Sequence, residues 1–247
     1  MGSFVLIHGA WHGGWCWDKV APLLREAGHA VATPDLPGHG ADPMPIPEVT
    51  LEAYVDRALE VLDAQPEPVV LVGHSMGGLV ITQAAELRPD KVKALAYLTA
   101  FMPRDGESLS QLSLADKDSL LNQNRELDRD NGIMWVRPEA QREVFYHDCS
   151  EEDVARAAAM LAPAVAIKPN TTPVHLSAER FGRIPKFYVE CLQDRAIRLP
   201  TQRLMHHNTP CQRVFSLDAS HSPFFSMPAE LARCLLAIED LGREGLL

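Results

Sequence analysis

Short runs of apolar residues recur along this chain, and helical patterns separate them. Phe4-Val5-Leu6-Ile7 is the first. Ala30-Val31-Ala32, Pro68-Val69-Val70-Leu71-Val72, Val92 to Leu98, Lys186 to Cys191 and Cys211 to Leu217 follow. A strand with one face in water alternates apolar and polar residues. The leading runs do not alternate, so they read as strands covered on both faces, the situation of a parallel sheet. Between them Val20, Leu23, Leu24 and Ala27 recur at helical spacing and stop at Gly28. Thr50 stands where it can cap a helix whose stripe is Leu51, Tyr54, Val55, Ala58, Leu59 and Leu62. Further helices are expected from about Met76 to Arg88, from Thr201 to His207, and through Leu231, Cys234, Leu235 and Ile238. Strand–helix alternation of this kind predicts an α/β fold with a mostly parallel sheet of about six strands flanked by helices.

The alternation breaks after Met102. Residues 103–183 are polar, contain prolines, and show pieces of helix at Val144–Phe145 and Val154–Leu161 but no strong strand. The expected organisation is therefore a core formed by residues 1–102 and 184–247, with 103–183 as an inserted helical cap. A length of 247 residues suffices for one such domain with a sizeable interior. The formal charge of −10 opposes binding to nucleic acid or to anionic membranes. No apolar run approaches the roughly 20 residues that span a bilayer. Five cysteines, an odd number without a C-x-x-C pair, argue against a disulfide framework and against a zinc site. Reduced thiols and the lack of a leader pattern before Phe4 make the cytoplasm the expected location.

Gly73-His74-Ser75-Met76-Gly77 is a G-x-S-x-G sequence between a strand and a helix. A serine on so sharp a turn projects its hydroxyl above the sheet, and the following helix aims its free N–H groups at the same place. A hydroxyl needs a base. Ten histidines compete, and His221 is preferred because it follows the last strand and so shares the carboxyl edge of the sheet with Ser75. His206 and His207 read as solvated helix residues; His39 is a weak rival in a loop; His29, His147 and His175 lack the placement. Asp194, one strand–helix unit earlier, is the candidate that orients His221. Asp218 is its local rival, and Asp35 reads as a turn former. The order Ser75…Asp194…His221 suits a nucleophile on a strand–turn–helix elbow. Backbone N–H groups of Ala10, after the first strand, and Met76 are the expected oxyanion donors.

Leu6-Ile7-His8-Gly9-Ala10-Trp11-His12-Gly13-Gly14-Trp15, Gly73-His74-Ser75-Met76-Gly77-Gly78 and Ser220-His221 together resemble the α/β-hydrolase superfamily. Within it they look most like the branch holding plant methylesterases of the salicylate-binding type, hydroxynitrile lyases and bacterial carboxylesterases such as pyrethroid hydrolases. Arg180-Phe181-Gly182, Tyr188 to Cys191, Asp194 and Gln202-Arg203 carry the likeness through the rest of the chain. The resemblance implies an α/β-hydrolase fold and a serine esterase that needs neither metal nor cofactor. Lyases of the branch carry Thr at the place of Gly9 and Lys at that of Ser222, so these two residues imply a hydrolase without a cation for cyanide.

The expected partner is a small-molecule ester, largely apolar, with no nucleic acid and no membrane; a homodimer is left open. Trp11, Phe101, Met102, Leu112, Trp135, Met160, Phe224 and Phe225 are the candidates to line its pocket. Three rival readings stand beside the esterase: a hydroxynitrile lyase, a cofactor-free haloperoxidase, and a triad-bearing receptor for a small molecule. The Leu127 to Gly132 stretch lacks calcium-loop spacing and reads as a polar turn.

Overall fold

Strand–helix alternation resolves into one parallel sheet. In the computed structural model, which describes residues 2–244, the strands of that sheet are β1 (Ser3–Ile7), β2 (Ala30–Ala32), β3 (Val69–His74) and β4 (Val92–Leu98), and then, after a long insertion, β8 (Lys186–Cys191) and β9 (Arg213–Leu217). Their order is β2-β1-β3-β4-β8-β9, and every neighbouring pair is parallel. The fully apolar runs occupy the middle. All residues of β1, β3 and β4 are buried, as both-face coverage requires. The edge strand β9 is largely exposed and closes with buried Leu217.

Helices α1 (Ala21–Glu26), α2 (Leu51–Asp63), α3 (Gly77–Leu87), α9 (Leu199–Asn208), α10 (Pro223–Ser226) and α11 (Pro228–Glu244) belong to the sheet. Helix α2 starts where the sequence predicts. Thr50 caps it by accepting a hydrogen bond from Ala53 N–H at 3.1 Å, and Leu51, Tyr54, Val55, Ala58 and Leu62 form its buried stripe. Each Leu or Val side chain of this stripe, taken out of water, stabilises the fold by about 1.5–3 kcal/mol. Helix α3 is different, because it is apolar nearly all round and lies buried between β3 and the rest of the molecule.

The insertion between β4 and β8 holds five short helices: α4 (Leu109–Ala115), α5 (Leu120–Asn124), α6 (Pro138–Phe145), α7 (Glu151–Met160) and α8 (Lys168–Thr171). It also holds strands, contrary to expectation. β5 (Arg125–Asp128), β6 (Ile133–Val136) and β7 (Val165–Ala166) form an antiparallel sheet of their own. Strands of four, four and two residues are too short to print a recognisable period, and β5 carries three charged residues. The Asp128 to Gly132 stretch is the β5–β6 turn. Asp128 accepts hydrogen bonds from Asn131, and Gly132 supplies a φ of 67°.

Close backbone approach fixes the start of α3. A Cβ on Gly77 would lie 2.7 Å from the Ile7 carbonyl oxygen and 2.8 Å from that of His8. Helix α3 can therefore rest on the end of β1 only with glycine at this place. Gly77→Ala should lower stability by about 1–3 kcal/mol through forced separation of helix and strand, read as a drop in the urea or thermal midpoint.

Candidate active site

Among the described residues, three that are not glycine have positive φ: Trp11 at 63°, Ser75 at 53° and Thr99 at 34°. Trp11 follows the end of β1; Ser75 and Thr99 directly follow β3 and β4. These strands are adjacent in the sheet, so the three left-handed residues share its carboxyl edge. Each such conformation costs on the order of 1–3 kcal/mol, and strain gathered at one place marks a functional site. The turn at Ser75 is held by three backbone bonds: Ser75 N–H to Leu98 O, and the Ser75 carbonyl accepting from Gly78 N–H and Phe101 N–H.

The sheet brings Asp194 and His221 to the same edge. His221 Nδ1 lies 2.7 Å from Asp194 Oδ2, with both side chains buried. Asp194 is saturated with donors. Thr99 Oγ1 also donates to Oδ2, while Ala196 N–H and Ile197 N–H donate to Oδ1 at 2.7 and 3.0 Å. A carboxylate accepts only, so when the ring carries one proton this contact favours it on Nδ1 and leaves the lone pair on Nε2. Gly9 and His74 connect this pair to Ser75. The rings of His74 and His221 are 4.6 Å apart, and His74 Nε2 meets the His221 carbonyl at 2.9 Å. A Cβ on Gly9 would fall 2.8 Å from Ser75 Cβ and 2.9 Å from His74 Nδ1, so glycine is what lets the loop after β1 close on the serine. The rivals lie elsewhere. Asp218 is exposed and accepts from Gln193; Asp35 accepts from Gly14 N–H and Ala41 N–H as a loop tie; His39 packs between His8 and Tyr54, tilted on the first ring and edge-on to the second. His206 is not solvated as expected. It packs on Tyr188, 3.5 Å from Glu190 Oε2.

A narrow cavity with about 10 Å³ of free volume opens over Ser75, walled by Ala10, Trp11, Met76, Phe101, Leu109 and Leu121 with polar Ser113, Arg125 and Asn170. Among the described residues, the backbone N–H groups of Ala10 and Met76 are in no backbone hydrogen bond. Trp11 and Phe101 reach the cavity, but the other six candidates do not, Leu112 among them, which packs half-buried against the core. Met102 is buried beside Met205, whose sulfur accepts its N–H. Trp135 stands on the face of β6 opposite buried Met134 and Val136. Phe224 packs against Trp17, His12 and His74 beneath the His221 loop. Met160 is exposed, and Phe225 packs on Trp15 and Tyr146. Ser222 is buried and uncharged, and the cation among the cavity's lining residues is Arg125 of the insertion.

The insertion fastens the site in two further places that sequence reasoning missed. Tyr146 OH lies 2.7 Å from His12 Nε2, and His12 Nδ1 lies 2.9 Å from the Ala10 carbonyl, which pins the loop that bears Ala10. Asp148 Oδ2 accepts from Ser220 N–H at 2.8 Å, steadying the residue before His221.

The sequence profile described as the alpha/beta hydrolase family matches residues 4–234. Methylesterase 9 of Arabidopsis thaliana is 34% identical over 254 residues, covering 97% of this chain and 99% of its own. Among solved structures, a pyrethroid hydrolase from Sphingobium faniae superposes with a TM-score of 0.88 at 30% identity, covering 98% of this chain and 99% of its own. Polyneuridine aldehyde esterase superposes with a TM-score of 0.87 at 29% identity, covering 97% of this chain and all of its own.

Burial pushes His12 from 6.5 down to about 3, against the pull of its hydrogen bond to Ala10. Burial is also the main cause that lowers His8 and His74. On unfolding these rings recover ordinary values, so below that value the unfolded chain binds more protons than the folded one. Their contribution to stability is complete above about pH 6.5 and is lost as pH falls towards 3. Urea midpoints should therefore be level near neutrality and fall steadily through this acid range. Tyr146→Phe, which removes the donor to His12 Nε2, should cost about 1–2 kcal/mol at neutral pH.

Proposed function

The chain belongs to the alpha/beta hydrolase family, and on that footing we propose that it hydrolyses small carboxylic esters through an acyl-enzyme on Ser75. Its relatives are methylesterases and a pyrethroid hydrolase, which supports a carboxylic ester hydrolase. The observation that carries the mechanism is the buried His221–Asp194 hydrogen bond beside a serine with left-handed backbone.

In this reading His221 Nε2 takes the proton of Ser75 as Oγ attacks the ester carbonyl. The carbonyl oxygen becomes an oxyanion, which the N–H groups of Ala10 and Met76 receive. Each such donor lowers the barrier by about 3–4 kcal/mol. Met76 is the residue that caps α3, so the positive end of that helix adds to the same field. The imidazolium formed at His221 is stabilised by Asp194 and then protonates the departing alcohol. Water enters, gives its proton to His221 and releases the acid from Ser75 by the same steps in reverse. The inserted segment, residues 103–183, serves as the lid of the acyl pocket. Five free thiols favour a reducing compartment such as the cytoplasm.

Ser75→Ala should abolish release of p-nitrophenol from short p-nitrophenyl esters. Asp194→Asn should lower kcat by about 10⁴-fold, since it disturbs the tautomer of His221. Equal rates in wild type and Ser75→Ala overturn the acyl-enzyme. Mandelonitrile, assayed alongside, should release cyanide no faster than with Ser75→Ala. Thr99 acts as a positioning residue for Asp194. Thr99→Val removes a hydrogen bond to a charged group, worth about 1.5–3 kcal/mol, so kcat should fall roughly 10- to 100-fold with KM nearly constant. Thr99→Ser should retain most of the rate.

A further inference from the structure

Arg125 opens β5 and pairs with Val136 of β6 across the antiparallel ladder. Residues directly opposed in such a ladder project from the same face. Val136 and its same-face neighbour Met134 are buried, so the register puts the guanidinium on the covered face of the small sheet. There it lines the cavity over Ser75. Arg104, Arg137, Arg142 and Arg156 of the insertion each pair with a carboxylate. Arg125 is half-buried and, among the described residues, has no ion pair and no side-chain hydrogen bond. Its nearest acidic neighbours in sequence are engaged elsewhere: Glu126 pairs with Arg137, and Asp128 accepts from Asn131. Burial draws its pKa downwards, and no carboxylate acts against that pull.

Asn170 lines the same cavity and is 4% exposed. Its Oδ1 is buried without a partner, and its Nδ2 has only Met134 Sδ at 3.8 Å. Turned about its last torsion, the amide would present Nδ2 to the cavity and give up little. A guanidinium with unused donors, and an amide that can turn its NH₂ from the Met134 sulfur, therefore line one space whose other walls are mostly apolar. A buried cation without a counter-ion is unfavourable, and its natural complement is a planar carboxylate held by two parallel N–H groups.

We propose that this enzyme acts on esters that carry a second, free carboxylate, and that Arg125 with Asn170 forms the subsite for it. This rests on the esterase reading of Ser75. It refines the expectation of a largely apolar substrate to an apolar linker ending in a charge. The carboxylate belongs either to the acyl part, as in a monoester of a dicarboxylic acid, or to the alcohol part, as in an acylated hydroxy acid.

Matched pairs of esters separate these cases. The monomethyl and dimethyl esters of succinic, glutaric and adipic acid test the acyl side. Acetoxyacetate and 3-acetoxypropanoate, with their methyl esters, test the alcohol side. At least one charged member should be preferred over its neutral partner by about tenfold or more in kcat/KM. Arg125→Met should erase that preference and Arg125→Lys restore part of it. Neutral members cleaved as well as or better than charged ones in every pair would overturn the subsite. If Arg125→Met does not fold, wild-type inhibition decides: free glutarate must compete against a neutral ester at least about tenfold better than butanoate. If no ester is cleaved at all, the esterase reading has failed by itself. Calorimetric binding of glutarate, lost in Arg125→Met, would then still uphold the subsite, and no binding would remove it.

Discussion

The Asp194 carboxylate holds the site together. Its four hydrogen bonds come from three places: the imidazole of His221, the hydroxyl of Thr99 after β4, and two backbone N–H groups of its own turn. A carboxylate with every lone pair engaged is held in one orientation, and it passes that orientation on to the imidazole. The loops after β4, β8 and β9 are thereby joined at one buried point. Since β4 and β3 are paired along their whole length, Ser75 is positioned against the same frame. The sheet supplies rigidity and the carboxylate supplies direction.

Much of this was legible in the sequence because it is written in local patterns. Apolar runs without alternation disclosed a sheet covered on both faces, and a serine between two glycines at a strand–helix junction disclosed the elbow. The order of Ser75, Asp194 and His221 then followed from the order of strand ends. What stayed hidden depends on pairing over distance. Thr99 reads as the tail of a strand until a partner 95 residues away is seen to use its hydroxyl. Tyr146 meets His12 across 134 residues. The pocket aromatics were misread at Phe224 and Trp135 because size and apolarity mark interior residues as readily as lining ones. Arg125 was invisible for the opposite reason: a charge in a polar stretch looks solvated, and only the β5–β6 register turns it inward.

The inserted segment is more than a cover. Through Tyr146 it holds the loop of Ala10, through Asp148 the approach to His221, and through Arg125 and Asn170 it furnishes the polar part of the cavity. Salt bridges from Lys19 to Asp153 and from Asp18 to Arg156 fix α7 to the region after β1. The first of these is buried on the Asp153 side and exposed on the Lys19 side, and so is less screened than a pair exposed on both sides. The segment with no readable period therefore supplies the polar lining of the pocket, while the core contributes Ser75, Asp194 and His221.

Three left-handed residues at neighbouring strand ends have an evolutionary consequence. A chain that relaxed Trp11, Ser75 or Thr99 to ordinary backbone would gain stability, because the strain is real and local. Selection for robustness alone would accordingly erode this edge of the sheet first. Holding all three at once requires the surrounding β3–β4 pairing to offset their strain, and the stability left over limits how many further destabilising substitutions the fold tolerates on the way to a new specificity.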